Sequence, residues 1–106
     1  MISESDIEKA IDWLRDTAEA CAKKRAERLY LEDFSRSLKA QIMSEHLAEP
    51  LGAQERHAYS DMRYRNHLEG LKQAIFLDEQ ARFLRDAAET KVRAWQTMCS
   101  NERGKI

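Results

Sequence analysis

Apolar side chains recur along residues 5 to 46 at Ile7, Ile11, Leu14, Ala18, Ala22, Ala26, Leu29, Phe34, Leu38 and Ile42. Steps of mostly three and four bring each side chain back to one face of a helix, and neither Gly nor Pro interrupts the run. The spacing predicts a single unbroken helix. Ser5 and Glu8 have the spacing of a capping box, in which hydroxyl and carboxylate each take up a backbone amide left free at the helix start. Glu4, Asp6 and Glu8 also place negative charge beside the positive end of the helix dipole. A second run, from residue 61 to about residue 101, passes through Tyr64, Leu68, Leu71, Ile75, Ala81, Leu84, Ala88, Val92 and Trp95. Its interior Gly70 costs about 1 kcal/mol relative to Ala, which the pattern on either side absorbs.

Between the two runs, Pro50 and Gly52 supply the only strong punctuation and mark a turn over residues 47 to 52. A short helix is expected over residues 53 to 59, with Ser60 and Asp61 placed to cap the next one. Gly104 is a stop signal, and residues 102 to 106 read as a frayed tail. Two rods of matching length on one short connection predict an all-α chain. The expected architecture is one domain, a long antiparallel, coiled-coil-like helical hairpin with a short helix in the connection. Folding the chain near residue 54 sets Trp13 against Trp95, Leu31 against Leu77, Phe34 against Ala74 and Ile75, and Leu38 against Leu71. The acidic start of the first rod then lies beside Lys91 and Arg93. In that register Cys21 and Cys99 are offset by roughly 16 Å along the helices, beyond the ~7 Å limit between disulfide-bonded Cα atoms, so no bridge is expected.

The rod midpoints are apolar on more than one side, at Leu29, Tyr30 and Leu31 and at Ile75, Phe76 and Leu77. A lone hairpin would expose them. The expected remedy is a homodimer in which two hairpins form a four-helix bundle. The alternative is a monomer with the segment 53 to 59 folded over the patch.

Composition narrows the classes. The chain has 106 residues, 35% of them charged, with three Gly and one Pro, which suits a single domain of long solvated helices. A formal net charge of −1 gives no global field for holding DNA. Charge is uneven, however: residues 20 to 45 carry six bases against four acids, so any nucleic-acid contact would be local. No window is apolar enough to span a membrane. With no basic and apolar leader pattern and only two cysteines in no metal or redox spacing, a reduced cytoplasmic setting is expected.

Lys23, Lys24, Arg25, Arg28, Arg36 and Lys39 lie on the first rod beside Tyr30 and Phe34, with Arg82 and Arg85 at the same level across the predicted hairpin. Bases interleaved with aromatics are what single-strand binding surfaces use. Yet Glu27, Glu32, Asp33, Asp78, Glu79 and Asp86 are interleaved too, and Glu32 to Arg36, Asp78 to Arg82 and Glu89 to Arg93 have ion-pair spacing, so a solvated helix face is favoured. The run of Lys91, Arg93, Trp95, Gln96, Asn101 and Arg103 also mixes basic, aromatic and amide groups, but a Trp at this spacing is more simply core. His57 and Asp61, with His67 further along, lack a third ligand at a recognised spacing, so no metal or cofactor is expected. No phosphate-cradling loop, nucleophile elbow or catalytic Cys–His signature is present. The reading is non-enzymatic.

Arg25-Ala26-Glu27-Arg28-Leu29-Tyr30-Leu31-Glu32-Asp33-Phe34, Gln54-Glu55-Arg56-His57-Ala58-Tyr59 and Val92-Arg93-Ala94-Trp95-Gln96-Thr97 together resemble small helical proteins of unassigned activity carried by bacteriophages and prophages. That resemblance implies an accessory near DNA recombination and replication, and assigns no site residue. The sequence therefore leads to a helical adaptor or inhibitor docking on a protein of DNA metabolism or host defence. Direct nucleic-acid binding through Lys23, Lys24, Arg25, Arg28, Tyr30, Arg82 and Arg85 is the alternative, and a purely structural role as scaffold or virion component is a third.

Overall fold

A computed structural model describes residues 2 to 104 of the chain; Lys105 and Ile106, the end of the predicted frayed tail, lie outside the described residues. The described residues form four helices and no strand: α1 (Glu4–Asp16), α2 (Ala18–Ser44), α3 (Leu51–Ser60) and α4 (Met62–Gly104). The chain is all-α, as the hydrophobic spacing requires.

Several boundaries differ from the sequence expectation for local reasons. Ser3, not Ser5, caps α1: its hydroxyl accepts the Asp6 N–H at 3.1 Å while the Asp6 carboxylate accepts the Ser3 N–H at 3.0 Å. Hydrogen bonding from the Ser3 backbone N–H first, and from the Ser3 side chain next, holds the Asp6 carboxyl below its ordinary value of 3.8, with smaller help from Lys91 and Lys9. A depressed pKa means the cap contributes fully above pH 3.8 and is lost as pH falls through the lowered value. Ser3→Ala should cost about 1 kcal/mol of stability in thermal unfolding followed by circular dichroism. No loss at all would mean that α1 needs no cap.

The predicted single helix is interrupted at Thr17, whose backbone sits at φ −99°, ψ 0°. Its hydroxyl donates at 2.6 Å to the Trp13 carbonyl, which also accepts the Thr17 backbone N–H at 3.0 Å, so one oxygen carries both bonds. One residue after Trp13, the Leu14 carbonyl accepts a bond of 3.0 Å from Arg85 Nη1. α2 then ends at Ser44 instead of residue 46, passing into turns at residues 45 to 48. α3 runs Leu51–Ser60, longer than expected, because the N–H groups of Ala53 and Gln54 both find the Pro50 carbonyl and start the helix at the proline. Asp61 breaks the helix for one residue and caps α4 as predicted, accepting the Arg63 N–H at 2.7 Å. α4 continues through Gly104, past the expected end at residue 101.

The chain divides into two compact units, one of residues 1 to 23 with 79 to 106, the other of residues 24 to 78. In the second, Arg28 meets Asp78, Ser35 meets His67 and Glu45 meets Arg63, so the number falls on α4 as it rises along α2. The two helices run antiparallel. Their core lies toward the turn, where Leu38, Ile42 and Ala58 are buried together against Met43 and Tyr64. Ala58 brings α3 close because a methyl group is all that separates its backbone from α2. Lys39 Nζ donates to Tyr59 Oη at 2.8 Å and lies over the Tyr59 ring, and Tyr59 meets Tyr64 edge-on. α3 thus closes the turn end and leaves the midpoint uncovered: Tyr30 is 62% exposed and Phe76 59%.

In the first unit the buried side chains are Ile7, Ala10 and Ala81. Trp13 lines a shallow apolar cleft with Ala10, Leu84, Ala87, Ala88 and Lys91. Trp13 therefore faces the α4 residues around Leu84 to Ala88, and among the described residues no ring contact joins it to Trp95. A fold point near residue 54 would set Leu14 beside residue 94; Arg85 bonds the Leu14 carbonyl instead, so the register at this end differs. Cys21 and Cys99 are free thiols, as the spacing implied. No helix among the described residues is long and apolar enough to cross a membrane.

Candidate interaction surface

The basic residues singled out from the sequence have different fates. In the second unit, Arg28 is a packing residue: Nε donates to Glu32 at 3.0 Å and Nη1 to Asp78 at 3.1 Å, so it ties α2 to α4. Glu32 is thereby paired with Arg28 and not with Arg36, and Asp78 with Arg28 and not with Arg82. Lys24 and Arg25 are exposed, and no ion pair among the described residues involves them. Tyr30 is exposed and stacks on Phe34, with ring centroids 6.1 Å apart.

In the first unit Lys23 pairs with Glu19 at 3.2 Å on the open surface. Arg82 pairs with Glu79 at 2.9 Å and lies over the Phe83 ring. Arg85 is engaged with the Leu14 carbonyl, and Arg93 reaches Thr90 at 3.4 Å instead of Glu89. The helix carbonyl and the nearest acids outcompete solvent for most of these cations. Among the described residues, Lys24 and Arg25 are what remains of the expected belt as exposed cations outside any ion pair, on α2 one to two turns before Tyr30.

The apolar surface behaves oppositely. The buried residues are Ile7, Ala10, Leu38, Ile42, Ala58, Ala74 and Ala81, and only three of these are larger than alanine. Against them, twelve large apolar residues among the described residues are exposed, including Leu29, Tyr30, Phe34, Leu68 and Phe76 in the second unit and Ile11, Phe83 and Leu84 in the first. A folded chain ordinarily spends its aromatics on its own core. Here Tyr30, Phe34, Tyr59, Phe76 and Phe83 are exposed, while Trp13, Tyr64 and Trp95 are half-buried.

No protein family, characterised protein or solved structure matches this chain.

The polar clusters lie at the turn. Arg63 grips Glu45 through two bonds, of 2.9 and 2.6 Å, and Asp61 through two more, of 3.1 and 3.0 Å, and these hydrogen bonds hold both carboxyls below their ordinary values. Nearby, the rings of His46 and His57 stack in parallel, 3.8 Å between centroids, and both approach Glu49. The sequence paired His57 with Asp61 because they stand four apart; Asp61 faces Arg63 instead, and His67 bonds the Leu31 carbonyl and Ser35 across the helix pair. Neither His46 nor Glu49 was singled out as a ligand from the sequence, although they stand three apart. His57 joins them through the fold of the turn.

Proposed function

We propose that this chain is a non-enzymatic helical interaction protein whose exposed apolar face is covered by association, first with a second copy of itself in a four-helix bundle and then with a protein partner. The observation that carries this reading is the imbalance, among the described residues, between a small, alanine-rich core and twelve exposed large apolar side chains. Apolar patches of that extent on soluble proteins mark interaction surfaces, and burial at about 25 cal/mol per Å² rewards a second copy for covering them. A non-catalytic role is supported by the cleft at Trp13, whose lining offers a single ionisable group, Lys91. The resemblance to small phage proteins directs the search for the partner toward DNA metabolism or host defence, with the chain as adaptor or inhibitor.

Tyr30→Glu combined with Phe76→Glu tests this. Both side chains are exposed, so the variant should keep its helix content while self-association weakens by at least about 100-fold in sedimentation experiments. An unchanged association constant would place the contact elsewhere and overturn the assignment of this face.

The exposed Lys24 and Arg25, on the same helix as exposed Tyr30, favour one competing reading, contact with single-stranded nucleic acid. That reading expects oligonucleotide binding that falls steeply with salt and is reduced by Arg25→Ala. Absence of binding at low salt would remove it.

A further inference from the structure

We propose that His46, Glu49 and His57 form a binding site for a divalent transition-metal ion of the zinc type, at the turn that joins α2 to α3. Their ligand atoms, two imidazole nitrogens and a carboxylate oxygen, lie within 4.8 Å of one another. Glu49 Oε2 is 2.7 Å from His57 Nε2 and 3.4 Å from His46 Nδ1. A tetrahedral zinc ion with bonds of ~2.0–2.1 Å holds its ligand atoms roughly 3.3 Å apart. Of the three spacings, that of Glu49 to His46 already matches, that of Glu49 to His57 opens with the loss of a hydrogen bond, and that between the two histidine nitrogens, within 4.8 Å, is set by turning a ring.

The backbone beneath the cluster is fixed before any ion arrives. His46 and Glu49 sit in successive turns whose amides donate to Met43 and His46 carbonyls at 3.0 Å. Gln54 Nε2 bonds the Glu49 carbonyl at 2.9 Å, and Pro50 fixes the next backbone angle. His57 is carried by α3, whose neighbouring residue Ala58 is fully buried against α2. The three side chains are partly exposed, so an ion can reach them from solvent.

The donor set also names the class of ion. Imidazole nitrogen with one carboxylate suits zinc, copper, nickel or cobalt, whereas calcium and magnesium take oxygen ligands. One carboxylate offsets half of the ion's charge, and Glu45 and Asp61 lie close enough to His46 to feel its charge. Both of those carboxylates are occupied by Arg63, so they act through space and do not compete as ligands. Three protein ligands leave a fourth position for water.

The parallel rings carry a consequence. Two coplanar-stacked imidazoles, 2° apart in plane, cannot both aim a lone pair at one point, so the ion must turn one ring out of the stack. The signature of binding is therefore a change at both histidines, together with a tighter hold of α3 on the end of α2.

The test is titration of the full chain with zinc chloride in chelator-free buffer, followed by calorimetry and by histidine ring resonances. One ion per chain is expected, with a dissociation constant on the order of micromolar. The His46 and His57 ring signals should shift and the His67 signals should not. His46→Ala or His57→Ala should each weaken binding by at least about 100-fold, and Glu49→Gln by about 10-fold. His67→Ala and the Cys21→Ser, Cys99→Ser double variant should bind as the parent does. Glu49→Gln changes no volume, so its result stands even where a histidine variant loosens α3. Failure to bind, zinc binding that survives loss of both His46 and His57, or binding abolished by the cysteine substitutions would each overturn the site.

Discussion

Ile42→Ala is expected to cost about 2–5 kcal/mol, the usual range for removing a buried isoleucine side chain to its Cβ. Ile42 is the one large side chain with no exposed surface among the described residues, and it touches the point where α2, α3 and α4 meet. A domain of this size has only about 5–15 kcal/mol in total, and few other large residues share the burden. Denaturation in urea followed by far-ultraviolet circular dichroism would read the effect, with Leu47→Ala as the comparison. Leu47 is 74% exposed and should change stability by less than about 0.5 kcal/mol. A loss below about 1 kcal/mol for Ile42→Ala would mean that α3 is not held by the cluster described here.

Arg28→Ala should destabilise the chain by about 1–3 kcal/mol, while Arg25→Ala should be close to neutral. The side chain of Asp78 is only 16% exposed and Arg28 is its ion-pair partner across the helix pair, so truncation leaves a largely buried carboxylate without that cation. The value sits between a surface pair, worth up to about 1 kcal/mol, and a fully buried one, whose breakage costs about 3–5 kcal/mol. Thermal unfolding of the two single variants side by side gives the comparison, and equal melting temperatures would contradict it. The same difference matters for binding experiments. A joint Arg25→Ala, Arg28→Ala variant that loses affinity for an oligonucleotide has lost structure as well as charge, and only Arg25→Ala isolates the charge.

The all-α architecture was legible because apolar residues at steps of three and four are a property of the chain alone, and the turn was legible because Pro50 and Gly52 are its only clustered breakers. The exposed midpoint was legible too: Tyr30 and Phe76 each stand in a run of three apolar residues, and one stripe cannot bury all of them. What escaped the sequence was competition among local alternatives. Ser3 and Ser5 both offer a cap, and the spacing to Asp6 and Glu8 is identical. Thr17 looks like any helical residue until its hydroxyl is seen on the Trp13 carbonyl. Ion pairs chosen by spacing failed at Asp78 because Arg28, fifty residues away in sequence, arrives from another helix. The turn cluster was hidden for the same reason. His46 and Glu49 stand on one side of Pro50 and His57 on the other, and only the packing of Ala58 on α2 brings the second ring over the first.

These observations share one physical theme, a helical chain whose interior is too small for the apolar side chains it carries. Its mass in solution is the direct test. Light scattering during gel filtration at micromolar concentration should give about 25 kDa, twice the 12.4 kDa of one chain. A particle of 12.4 kDa that persists on concentration would contradict self-association as the means by which the exposed face is covered.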